Sequence, residues 1–124
     1  MTIALWCVAI AAVFTIICTG IAKAGSGGFD NRNPREWLGR LRGWRARANA
    51  AQQNSWEALA VFAAGVFAAH LADAPQARVD LLAEIFIGAR VLYLACYLAD
   101  LALLRTLVWT VGIGVSIAMF FAAN

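Results

Sequence analysis

The feature that most constrains this chain is a run of twenty residues without a charge, positions 3 to 22 (IALWCVAIAAVFTIICTGIA). A helix rises 1.5 Å per residue, so twenty apolar residues match the roughly 30 Å hydrocarbon core of a bilayer. The rest of the chain repeats the pattern. Hydrophobic residues make up 63% of the 124 positions, charged ones only 14%, and the mean hydropathy is +0.73. Soluble domains carry about 25% charged residues, so this chain has too little polar surface to cover a globule in water. Further apolar segments at 48–72, 81–99 and 106–123 predict an all-α integral membrane bundle of four crossings in one domain, residues 1–124. That leaves no room for a separate soluble catalytic domain.

The charges are unevenly placed. Lys23, Arg32, Arg35, Arg40, Arg42, Arg45 and Arg47 stand against only Asp30 and Glu36 between positions 23 and 47, a net of +5. A basic cluster joining two apolar segments is a topology signal more than a nucleic-acid patch, because short loops rich in Lys and Arg stay cytoplasmic. The expected arrangement is multi-pass, with both termini outside and the 23–47 loop and the 100–105 turn inside, in the cell membrane if the protein is bacterial. Ala22-Lys23-Ala24 has the form of a signal-peptidase site, but no basic residue precedes the apolar run and the run is too long for a signal core. Within the loop, Pro34 opens a short amphipathic stretch with Trp37, Leu38, Leu41 and Trp44 as its apolar face, expected to lie at the membrane surface. Cys7 and Cys18 lie about 16 Å apart on one helix, too far to bridge, and Cys96 has no metal-ligand spacing around it. All three read as small buried hydrophobes. No metal site is expected.

Ionisable side chains inside a span cost at least about 2.5 kcal/mol each and need partners, which makes them candidates for function. At 100° per residue, Arg47, Asn54 and Glu57 of the second span share one face, flanked by Gln52 and Gln53. In the third span Arg90, Tyr93, Tyr97 and Asp100 are spaced by 3, 4 and 3, one stripe of a helix. Glu57 is ten residues in from Arg47 and Arg90 ten in from Asp100, so both lie about 15 Å deep. With Arg105 at the start of the fourth span, these residues outline a half-buried cavity open to the cytoplasm. Three guanidiniums facing one carboxylate and two phenols suit an anionic ligand. Two alternatives stay open at this point: such a site, or a structural Glu57–Arg90 pair with Asn54 and the tyrosines joining helices. His70, on another face near the outer surface, and Glu84, in the outer half of the third span, read as structural or interfacial, and Trp6, Trp56 and Trp109 as anchors or packing.

The run Arg47-Ala48-x-x-x-x-x-Asn54-x-x-Glu57, then Arg90-x-x-Tyr93-x-x-x-Tyr97 and Arg105, resembles the MAPEG family, the membrane-associated proteins in eicosanoid and glutathione metabolism. The match in order, spacing and depth covers roughly residues 44 to 112. The resemblance implies a homotrimer of four-helix subunits that binds glutathione, as cosubstrate, between neighbouring subunits near the cytoplasmic side. Gln52, Asn54, Glu57, Arg90, Tyr93 and Tyr97 would hold the tripeptide, with Arg47 at the cavity rim. Arg105 matches the arginine that the family places near the thiol, and would favour the thiolate, the nucleophilic form. A lipophilic electrophile or hydroperoxide would reach the sulfur from the membrane lipid, along a groove between the first and fourth spans. Ala50 stands where the eicosanoid branch carries a second arginine, so leukotriene or prostaglandin substrates are not implied and a generic, bacterial-type branch is. The expected function is a membrane-bound glutathione transferase or peroxidase. A non-catalytic scaffold binding thiol or lipid is the alternative. A small proton-coupled exporter fits less well, since such proteins carry a carboxylate in the first span and this chain has none there.

Overall fold

A computed structural model describes residues 1–25 and 27–124. Among these described residues five helices follow in order: α1 (Ile3–Lys23), α2 (Pro34–Gly39), α3 (Gly43–Leu71), α4 (Gln76–Leu98) and α5 (Ala102–Met119). The long four overlap the expected segments, although α3 and α4 each begin five residues earlier than hydropathy suggests and α5 begins and ends four residues earlier. Helix ends are set by backbone capping and not by where the apolar run stops. Thr2 caps α1, its hydroxyl accepting the Leu5 N–H at 3.3 Å. Both tight turns close in the same way. After α3 the Ala74 N–H reaches the Ala69 carbonyl, and after α4 the Leu101 N–H reaches the Cys96 carbonyl. Asp73 (φ 52°) and Asp100 (φ 59°) take the left-handed position that glycine more often fills.

The amphipathic stretch is shorter than its pattern predicts. With Pro34 in its first turn, α2 stops at Gly39; Gly43, at φ +63°, turns the chain so that Trp44 falls on α3 and Leu41 on neither helix. Only Trp37 and Leu38 remain on α2, where Trp37 meets Phe29 edge-on at 5.0 Å.

Among the described residues three helices, α1, α4 and α5, are long and apolar enough to cross a membrane. α3 is the longest at 29 residues, about 43 Å, but Arg45, Arg47, Gln52, Gln53, Asn54 and Glu57 dilute its hydropathy. α1 packs on α3 and α4, and α5 packs on the same pair, while α1 and α5 share no extended contact. The groove expected between the first and last spans is therefore not formed within one chain.

The outward surface is rich in large apolar side chains, among them Ile10, Ile16 and Ile17 of α1 and Leu103 and Leu107 of α5, as lipid-facing helices require. Inside, small residues such as Ala4, Ala11, Ala83 and Ala89 let the helices approach. At the end carrying the chain termini, a cluster of Cys7, Phe62, Val66, Val79, Phe86 and Met119 fills the interior, with Phe62 and Phe86 stacked at 3.9 Å. α3 and α5 nearly touch there: a Cβ on Gly65 would lie 2.7 Å from the Ser116 carbonyl oxygen. Hydrogen bonds tie the same end together. The Asp80 carboxylate accepts the Ala4 N–H at 2.8 Å, and His70 Nε2 lies 3.0 Å from the Thr2 hydroxyl. His70 and Glu84 thus stay out of the polar cluster, as expected. Cys7, Cys18 and Cys96 are buried and unbridged.

Candidate functional site

At the opposite end, which carries the 24–42 connection and the turn before α5, a smaller apolar cluster of Cys18, Ala51, Tyr93 and Leu94 adjoins buried polar groups. Arg90 of α4 is only 4% exposed. Its Nη1 donates to Asn54 Oδ1 at 3.1 Å and its Nη2 to Ser55 Oγ at 2.8 Å, while Nε is buried without a partner. Ser55 can accept that bond because its own proton goes to the Ala51 carbonyl at 2.7 Å. Asn54, with its oxygen occupied by Arg90, keeps its amide N–H groups for another acceptor. A guanidinium so deeply buried costs several kcal/mol unless a charge answers it, and its partners here are neutral.

The stripe expected on α4 is present. Arg90 lies over the Tyr93 ring at 4.2 Å, Tyr93 meets Tyr97 edge-on at 5.5 Å, and Arg105 of α5 lies over the Tyr97 ring at 4.3 Å. Two arginines and two phenols thus form one ladder from the interior to the first turn of α5. Glu57 does not pair with Arg90. Among the described residues the one ion pair joins Arg40 to Glu36 of α2, and Glu57 is exposed. Depth matching puts Arg90 level with Glu57, whereas the structure sets it opposite Asn54 and Ser55, two to three residues short, so the structural Glu57–Arg90 pair is not formed.

Two hollows adjoin this ladder. One, of about 220 Å³, is bounded by Asn54, Tyr93, Arg105, Thr106 and Trp109. The other, of about 140 Å³, lies deeper between α3, α4 and α5, with Asn54, Glu57 and Arg90 toward one end and Val61, Phe86 and Ile113 toward the other. Asn54 and Trp109 line both. Of the residues singled out from sequence, Asn54, Glu57, Arg90, Tyr93, Tyr97 and Arg105 are brought together. Four are not. Arg47 donates to the Leu98 carbonyl at 3.2 Å and so caps α4, while Gln52 is half-buried, Gln53 is exposed and neither lines a hollow. Asp100 is exposed in the turn. Ser55 and Trp109 went unnoticed as site residues. Trp109 follows Arg105 by four residues, one helical turn, and that spacing was the available signal.

The fold and this cluster define an all-helical membrane protein with an arginine-centred pocket among its helices. The chain belongs to the MAPEG family, whose profile matches residues 3–124, essentially its whole length. That family includes glutathione-dependent transferases and peroxidases. No curated protein and no solved structure gave a significant match.

Proposed function

We propose that the protein is a membrane-bound glutathione transferase or peroxidase, with glutathione as its anionic ligand and Arg105 as the group that activates the thiol. The observation that carries this reading is Arg90, buried with neutral partners and an unpartnered Nε beside a hollow lined by a second guanidinium. Excess buried positive charge calls for an external anion, and guanidinium binds carboxylates bidentately. Glutathione has two carboxylates. Asn54 offers amide protons to one of them, Glu57 offers a carboxylate to the ammonium, and Tyr93 and Tyr97 offer hydroxyls.

A thiol has a pKa of about 8.5, and a nearby fixed positive charge favours the thiolate. Arg105 stands at the polar hollow, half-buried, where a thiolate formed on its guanidinium would face the deeper hollow. In the transfer step the thiol proton leaves to solvent and the sulfur pair forms the S–C bond. The bond to the leaving group breaks with its pair on that group.

Four crossings and a trimer belong to the same reading. The carboxylate of Glu57 and the amide of Gln53 are exposed on α3, and a charge facing lipid is costly. A neighbouring copy packed on that face removes the cost and would complete the site. With positive charge kept inside, the 23–47 loop lies in the cytoplasm and both termini outside.

Calorimetry of the detergent-solubilised full-length chain with glutathione tests the binding. Arg105→Ala is expected to lower kcat about a hundredfold while changing the glutathione Kd less than threefold, since its charge acts chiefly on the thiolate. Equal turnover in that variant removes Arg105 from the mechanism. Absence of glutathione binding by the unaltered protein would favour a scaffold.

A further inference from the structure

The deeper hollow has a closed far end. One helical turn beyond Val61, α3 meets α5 at Gly65, where any Cβ would lie 2.7 Å from the Ser116 carbonyl oxygen and 3.1 Å from Met119 Cβ. Phe86, nearly fully buried and backed by the stacked Phe62 ring, walls it on the α4 side. A chain entering past Asn54 and Trp109 therefore cannot run on between the helices. The volume, about 140 Å³, is close to that of apolar cavities of roughly 150 Å³ that accept a benzene-sized guest of six carbons. Its far walls carry no charge: Val61, Phe86 and Ile113 are apolar, and the Ser116 hydroxyl is spent on the Gly112 carbonyl at 2.9 Å.

From these walls we infer that the deeper hollow receives the apolar group of the electrophile, and that the substrate class is small aryl and short-alkyl electrophiles, with about six carbons beyond the reacting atom. Long-chain lipid electrophiles are excluded by the α3–α5 contact at Gly65. The inference rests on the proposal that a thiol is bound at Arg105, since the shared walls Asn54 and Trp109 would bring sulfur and electrophile together. Gly112 is the specificity-determining position. It is buried on α5 at the hollow, and a Cβ there would meet only Ala89 Cβ, at the ordinary distance of 3.9 Å. A larger side chain at 112 therefore grows into the empty volume and shortens the acceptable guest.

Two measurements on the full-length protein in detergent decide it. In calorimetry with S-methyl, S-butyl, S-hexyl and S-decyl glutathione, affinity is expected to rise by roughly fourfold for each methylene that becomes buried, up to about hexyl, and then to fall at decyl. In Gly112→Leu, and independently in Val61→Phe on the facing helix, the rise from methyl to hexyl is lost while unsubstituted glutathione binds as before. The second measurement needs no glutathione: iodobenzene is expected to quench Trp109 fluorescence saturably, a component absent in Trp109→Phe and in Gly112→Leu. Affinity that climbs steadily through decyl, or a hexyl gain that survives both filling variants, overturns the inference. Saturable quenching in a protein that binds no glutathione supports the aryl pocket and overturns the thiol reading alone. Quenching without saturation, together with equal affinity for S-methyl and S-hexyl glutathione, overturns the pocket and leaves the thiol reading in place.

Discussion

The two ends of this bundle are built on different physics. At the terminal end, α1, α3, α4 and α5 are held by volume: stacked Phe62 and Phe86, Val66, Val79 and Met119, and the backbone approach at Gly65. At the loop end a smaller apolar cluster of Cys18, Ala51 and Leu94 is joined by polar contacts, with Arg90 bonding Asn54 and Ser55 of α3 and stacking on Tyr93. In lipid the first kind of contact gains little from excluding water, because the alternative surroundings are equally apolar; what remains is packing. The second kind is expensive to form, since a charge is withdrawn from water. The bundle is thus packed by volume at one end and by mixed apolar and polar contacts at the other.

The largest effect should come from Arg90. Arg90→Met removes the buried charge and keeps its length, so glutathione affinity is expected to fall about a hundredfold or more in calorimetry. Thermal stability is expected to hold or rise, because a well-packed apolar residue commonly replaces a buried ionic group without loss. A Tm lowered by more than a few degrees would mean that the loop end carries structural weight after all.

Phe86→Ala attacks the terminal end instead. Loss of the stack and an unfilled cavity should cost about 2–4 kcal/mol, the lower part of the usual range because the transfer gain from water is missing in lipid. Denaturant unfolding in mixed micelles reads it. Gly65→Ala follows, at about 1–3 kcal/mol, since a single methyl must push the α3 and α5 backbones apart. If Gly65→Ala is neutral, the helices are not held as closely as volume packing requires.

The smallest effect lies outside both ends. Asp30 accepts the Arg32 N–H at 2.9 Å and that of Asn33 at 3.4 Å, and these bonds, the Arg32 one first, hold its carboxyl below the ordinary value of 3.8. A carboxyl lowered in the folded state contributes above its unfolded pKa, and that contribution is lost as pH falls through the folded one. Protection of the 32–33 amides, measured relative to their intrinsic exchange rate, is therefore expected to fall below about pH 4 in the native chain and to be low at all pH values in Asp30→Ala. The two ends of the bundle should not respond, and a shift in either would show that the loop is coupled to them.

Much of the architecture was legible in the residues. Predominantly apolar runs of about twenty residues can satisfy their backbone in lipid only as helices, so α1, α4 and α5 follow from hydropathy, and α3 from its alanine-rich stretch between polar residues. The ladder of Arg90, Tyr93 and Tyr97 was legible too, because 3 and 4 spacing is a property of a single helix. The amphipathic stretch was overextended, since one glycine with positive φ at position 43 redirects the chain at no cost that a hydropathy pattern registers.

Partnerships between helices were a different matter. Counting depth brought α3 and α4 to one level within two or three residues, yet that margin separates Glu57 from Ser55 as the partner of Arg90. Arg47 shares a helical face with Asn54, but its long side chain reaches the end of α4. Sequence alone determined which residues are helical, which of them cannot face lipid, and that positive charge exceeds negative near one end. Only the tertiary structure decided who meets whom, that Glu57 stays on the surface, and that a hollow lies between α3, α4 and α5. The reason is geometric: periodicity is set by local backbone hydrogen bonds, whereas an interhelical contact depends on axial shift and rotation at the scale of a single side chain.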